Sequence, residues 1–162
     1  MHPTSYAIWC AFPEVMLMDS TYNTTVFKLP LLEIVGLTST NKTFSMAYSF
    51  LSSEQGHNFR WVFQRVKQVI GERYYPRVIV TDRDLALVSA IRAEFPDAHQ
   101  LLCRWHIQQN ILKFCRNNFT DGGMDYDFVK NRCDWMVKAL TFESFERRYQ
   151  RLQELLVNHQ GT

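Results

Sequence analysis

The stretch VIVTDRDLALVSAIRAEFPDAHQLLCRWH, residues 78–106, constrains this chain more than any other part of it. A compact, β-branched run after Pro76 reads as a buried strand that ends at Asp82. Leu87, Ala90, Ile91 and Phe95 then recur at helical spacing until Pro96 stops the pattern. A second short strand, 98–103, follows. Strands that alternate with helices in this way imply a sheet with a parallel part.

Upstream the period is different. The runs EVMLMDSTY (14–22), LPLLEIVGLTS (29–39) and TFSMAYSFLSS (43–53) read as three strands of an antiparallel meander, with a polar turn at 39–42. In the third, Phe44, Met46, Tyr48 and Phe50 are expected to point one way and Ser45 and Ser49 the other. A helix is expected next, through Phe59, Val62, Phe63 and Val66, with Gly71 as its cap. From Trp105 onward the pattern is helical, over 105–118, 126–139 and 142–158. The expected class is α/β: a mixed sheet of three antiparallel strands followed by alternating α and β, with C-terminal helices. The expected division is a core over 8–118 and a helical segment over 119–162.

A hydrophobic fraction of 46% over 162 residues suffices for a packed core. The net charge of +2 is too small to argue for nucleic acid by itself. Nine basic and nine acidic residues fall in 1–102, and nine against seven in 103–162, so any basic surface leans C-terminal. No apolar run reaches the ~18 residues of a membrane span, and the N-terminus lacks the basic and apolar regions of a signal peptide. Cys10, Cys103, Cys115 and Cys133 are therefore expected to be reduced, in cytosol or nucleus. Their spacing fits neither a disulfide framework nor a four-ligand zinc pattern.

Asp19 lies near the end of the first strand and Asp82 at the end of the fourth. Ligands gather at the carboxyl ends of parallel strands, so the two carboxylates converge if these strands are neighbours. Converging carboxylates suit Mg²⁺ or Mn²⁺. The bland alternative is that an aspartate between strand and helix caps the helix; Asp84, one residue from the helix start, is the preferred cap and leaves Asp82 as the ligand. Cys103 and His106, three residues apart, share one face of a helix start. They suit zinc, or else are a small buried hydrophobe and a locally bonded imidazole. His99, Cys115, Cys133 and His159 are the available completions, none with a diagnostic spacing. Trp61 and Trp105 could stack on bases, but their spacing beside apolar neighbours reads as core. Glu143 reads as a surface residue near a helix start.

Several motifs together resemble the Mutator-like element (MULE) transposases. MDSTYNTTVFKLPLLEIVG resembles the family's first catalytic block, and FSMAYSFLSSEQGHNFRWVF its following strand, glutamate and Trp-containing helix. VIVTDRDLALVSAIRAEFPDAHQLLCRWHIQQNI is similar to its second block, with Thr-Asp, Phe-Pro and Cys-x-x-His in order. The likeness runs from about residue 8 to 160. It implies a ribonuclease H-like fold and a three-carboxylate transposase site holding two Mg²⁺ or Mn²⁺ ions. Asp19 and Asp82 match the first two acids, and Cys103 and His106 the Cys-x-x-His whose role is less settled.

The third acid of that family is a glutamate, typically followed by Ser, beyond a helical insertion. Glu143-Ser144 imitates the pair but comes too early, so the third acid is expected beyond residue 162. The expectation is a truncated core with negligible strand transfer by itself. The resemblance further implies DNA (transposon ends) as partner, self-association, nuclear location, and neither membrane nor small-molecule cofactor. A domesticated, non-catalytic DNA-binding regulator is the alternative. The Asp82-Arg83-Asp84 triplet also fits the Asp-x-Asp of sugar-nucleotide transferases, a reading that leaves the Asp19 block and Cys-x-x-His unexplained.

Overall fold

The computed structural model describes residues 1–21, 26–118 and 126–159, without the side chains of residues 114–118, 126–127, 155–156 and 158–159. Tyr22, and the side chains of Cys115, Leu156 and His159, therefore lie outside the described residues. The chain forms two compact units, Met1–Cys103 and Arg104–Thr162. Helix α4, grouped with the core in the sequence, belongs by its contacts to the second unit.

The first unit runs α1 (Pro3–Ala11), β1 (Val15–Thr21), β2 (Leu31–Leu37), β3 (Thr43–Phe50), α2 (Gly56–Ile70), β4 (Val78–Thr81), α3 (Leu85–Glu94), β5 (His99–Leu102). The strands form one sheet in the order β3-β2-β1-β4-β5. β1 pairs antiparallel with β2 and parallel with β4, and β4 pairs parallel with β5. This is the ribonuclease H-like mixed sheet, with β2 alone running against the rest.

Alternation along the strands divides the sheet cleanly. Met16, Met18, Leu32, Ile34 and Ile79 point to one face and are all but fully buried. They share a core with Phe59, Phe63 and Ile70 of α2 and Leu87 and Ile91 of α3. The other face carries Val15, Leu17, Val35, Val78 and Val80, each half-buried. Helix α1, which the sequence did not announce, has Pro3 at its start and contributes the fully buried Trp9. The Trp9 indole N–H donates to the Tyr74 carbonyl at 3.0 Å.

The β2–β3 turn closes through Thr38 and Lys42, with Asn41 in the left-handed region at φ 58°. Gly71 ends α2 at φ 74°, and its N–H donates to the Lys67 carbonyl. The strict alternation expected in β3 fails. Ile34 pairs with Ala47 but Val35 with Ser45, so Met46 is an extra residue. Such a bulge reverses the phase of the strand beyond it. Phe44 and Met46 therefore turn inward, whereas Tyr48 and Phe50 are each 57% exposed. Phe44 lies across Gly36: a Cβ there would sit 2.3 Å from its ring.

Both tryptophans read as core are exposed instead, Trp61 at 57% and Trp105 at 58%. Trp61 misses the stripe of α2 formed by Phe59, Val62, Phe63, Val66 and Ile70, and Arg65, four residues on, lies over its ring. The buried face of α2 and α3 also encloses a charge. Glu94 is 8% exposed and accepts from Arg60 at 3.2 Å and Gln64 at 3.0 Å. The Lys67 ammonium lies 3.8 Å away. Burial opposes ionisation of Glu94, but the Gln64 and Arg60 hydrogen bonds and the two cations outweigh it. The carboxyl is held below its ordinary range.

The second unit comprises α4 (Arg104–Asn118), α5 (Tyr126–Val137) and α6 (Phe142–His159). Its core is Val129, Cys133, Met136 and Leu152, flanked by Ile111 and Val137. On α6, Leu152 is buried whereas Phe142 is 79% exposed. Among the described residues, no helix is long and apolar enough to cross a membrane.

Gly36→Ala is expected to force the Phe44 ring aside and cost about 1–3 kcal/mol, read as a lowered Tm. Glu94 binds fewer protons folded than unfolded. Its stabilisation is therefore present above the unfolded-state pKa of about 4.3 and lost as pH falls through the lower folded-state value. Glu94→Gln should lower Tm at pH 7 and flatten its decline in acid, with the gap between the two proteins narrowing as pH falls. Thermal unfolding across pH 3–7 checks both.

Candidate functional site

The site is built at the carboxyl ends of β1 and β4. Their parallel register is Val15↔Val78, Met16↔Ile79, Leu17↔Val80, a constant offset of 78 − 15 = 63. Asp19 and Asp82 are separated by 82 − 19 = 63 as well. Each is two residues beyond the last of these pairs and so on the same face as Leu17 and Val80. Adjacent strands lie ~4.8 Å apart, so this register carried two residues further makes Asp19 and Asp82 neighbours at the strand ends. Both residues are half-buried.

The next strand extends the same row. β4 and β5 pair from Val78↔His99 to Thr81↔Leu102, an offset of 99 − 78 = 21. That offset aligns Cys103 with Asp82, and the Cys103 N–H donates to the Thr81 carbonyl at 2.6 Å. On the opposite side Asp19 is the direct partner of Glu33 in β2. The Glu33 carboxylate is turned toward β3, where it accepts from the Ser45 hydroxyl at 3.0 Å. His106 is a half-buried residue of α4, in the second unit.

The two aspartates of the Asp-Arg-Asp triplet are differentiated as the sequence suggested. Asp84 is the N-cap of α3, its carboxylate accepting from the Leu87 N–H at 2.7 Å. Among the described residues, the Asp82 carboxylate accepts a longer bond from the Asp84 N–H, at 3.3 Å. Asp82 thus keeps oxygen lone pairs for another partner.

Sequence reasoning passed over Glu54, quoted only as part of a motif. It lies in the segment between β3 and α2, where its carboxylate accepts from the Ser20 hydroxyl. Burial pushes the Glu54 carboxyl above the usual range. The Ser20 bond pulls it back, and the charges of Asp84, Asp82 and Asp19 push it further up. The Ser20 bond sets the Glu54 carboxylate beside the residue that follows Asp19 near the end of β1. The available signal was a glutamate just before a helix whose start meets the start of α3: a Cβ on Gly56 would lie 3.9 Å from the Ala86 carbonyl. Glu143 sits in the first turn of α6 in the second unit and is exposed.

The donor chemistry fits a divalent cation. Carboxylate oxygens at the ends of two parallel strands are hard ligands of the type Mg²⁺ and Mn²⁺ take. Among the described residues, no three His, Cys, Asp or Glu side chains converge closely enough to enclose an ion by themselves. The Cys103 thiol in line with Asp82 adds no hard donor.

The model of the MULE transposase domain matches residues 15–110, which contain all five strands, Asp19, Asp82, Cys103 and His106. Among curated proteins, the chain is 34% identical over 116 residues to PKS-NRPS hybrid synthetase cheA of Chaetomium globosum, covering 70% of this chain and 2% of that protein. It is 23% identical over 141 residues to Protein FAR1-RELATED SEQUENCE 2 of Arabidopsis thaliana, covering 87% of this chain and 17% of the relative. The chain thus spans a small part of the length of either. Among solved structures it is similar to the HTLV-2 integrase catalytic core domain in complex with magnesium, at a TM-score of 0.39 and 19% identity, covering 80% of this chain and 87% of that one. With the family pattern spanning the whole sheet and both strand-end aspartates, the chain belongs to the MULE transposase domain family.

Proposed function

We propose that this chain is part of the catalytic core of a MULE-type DNA transposase, in which Asp19 and Asp82 hold divalent cations for phosphoryl transfer at the ends of a mobile DNA. The observation that carries the reading is the shared offset of 63, which sets both carboxylates in one row on one face of the sheet. When bound, Mg²⁺ or Mn²⁺ supplies a polarised oxygen nucleophile and charge compensation for the leaving oxygen. The protein's own part is to orient. β1 and β4 fix the spacing of the two carboxylates, and Asp84, occupied by the helix cap, leaves Asp82 turned toward the ligand. In the transfer an O–P bond forms from water or a 3′-hydroxyl and the P–O3′ bond of the scissile phosphodiester breaks. The nucleophile's proton is released and the leaving 3′-oxygen is protonated. On this reading the protein acts on DNA in the nucleus and self-associates to bring two DNA ends together.

A second reading is favoured by the likeness to Protein FAR1-RELATED SEQUENCE 2: a DNA-binding regulator descended from a transposase, which keeps the fold and dispenses with the chemistry. Cation binding separates the two. Titrating the 162-residue chain with Mn²⁺ by calorimetry is expected to show binding that Asp19→Asn and Asp82→Asn each weaken at least tenfold, without loss of fold by circular dichroism. Unchanged Mn²⁺ affinity in both variants, together with duplex binding that ignores divalent ions, would overturn the catalytic reading in favour of the regulator.

A further inference from the structure

Glu54 reaches the strand ends from a direction the aspartates do not use. Its partner Ser20 follows Asp19 in β1 and therefore points to the opposite, helix-covered face. The Glu54 carboxylate thus comes over the top edge of the sheet rather than across the face that carries Asp19 and Asp82.

The segment that delivers it is held at both ends. Leu51 is buried, and its N–H donates to the Pro30 carbonyl at 2.9 Å. The Asn58 amide, one turn into α2, donates to the Ser52 hydroxyl at 3.0 Å and the Ser53 carbonyl at 2.9 Å. The start of α2 rests near Ala86 of α3, two residues past the Asp84 cap. A connection this well tied does not place a half-buried carboxylate over other acids by accident of mobility. An acid held against like charges costs free energy, and nothing in the packing of the segment requires it, since glutamine would accept the same Ser20 bond.

We infer that Glu54 is a positioning residue for the proposed cation site: it fixes the carboxyl end of β1 through Ser20 and adds a third negative charge to the field of Asp19 and Asp82. This rests on the catalytic reading above. It assigns Glu54 no ligand bond. Glu33, the direct neighbour of Asp19 in the sheet, does not tie the end of β1: its carboxylate accepts from Ser45 of β3.

The test uses the whole 162-residue chain and Mn²⁺, with binding read by calorimetry and by the loss of the free-ion electron paramagnetic resonance signal. Glu54→Gln keeps the hydrogen-bond acceptor and removes the charge. It is expected to weaken Mn²⁺ binding about three- to tenfold, the effect of one charge on a divalent ion at ~10 Å in a largely aqueous surrounding, with Tm unchanged. Glu54→Asp should restore most of the affinity. Ser20→Ala should weaken binding less, because the charge remains. Glu14→Gln, a control of equal charge at the opposite end of β1, should change it less than twofold. If Asp82→Asn abolishes binding while Glu54→Gln matches wild type, the Glu54 role is overturned and the catalytic reading stands. Equal losses in Glu54→Gln and Glu14→Gln would also overturn it, by showing only a general charge effect. If neither aspartate variant alters binding, both inferences fall.

Discussion

Everything at the candidate site depends on the parallel pairing of β1 with β4. The two strands are remote in the chain, and their hydrogen bonds form only because Met16 and Ile79 are buried side by side in one core. A one-residue slip would turn all of these side chains to the wrong face, so burial of one face fixes the register of both strands. The aspartates sit two residues past the paired segment, at the point where the strands leave the core. They inherit the register without contributing to it. The site is therefore as precise as the core beneath it, and its acids can be chosen for chemistry.

The helices on the covered face have a second task. α2 and α3 meet at their starts, beside the strand ends, and bury the Glu94 cluster toward their far ends. At one end a charge is neutralised by three partners. At the other, the charges of Asp84, Asp82 and Asp19 add to burial in raising the Glu54 carboxyl above its ordinary range. The contrast is physical: the same fold pairs one carboxylate with cations and sets others where like charges oppose one another.

The order of strands and helices along the chain was mostly legible because hydrophobic period is a local property. The helical stripe of α2 and the Asp84 cap each follow from residues a few positions apart. The misreadings had equally specific causes. The bulge at Met46 depends on how β3 meets β2, which no alternation within β3 reveals. Trp61 is apolar in type but lies off the buried stripe, where Arg65 covers it in part. Helix α1 lacks a clear amphipathic pattern, and what holds it is one side chain, Trp9, inserted into the core.

Sequence by itself determined the element order, the alternation that makes one sheet face apolar, and the choice of acids at two strand ends. Family membership follows from the same residues, because the order and spacing of these motifs are a linear pattern. Tertiary structure decided which acids meet. Register between strands aligned Asp19 with Asp82 and Cys103 with Asp82, and the meeting of α2 with α3 brought Glu54 over them. Such proximities arise from burying a shared core. That core is a property of the whole first unit, and no window of the sequence contains it.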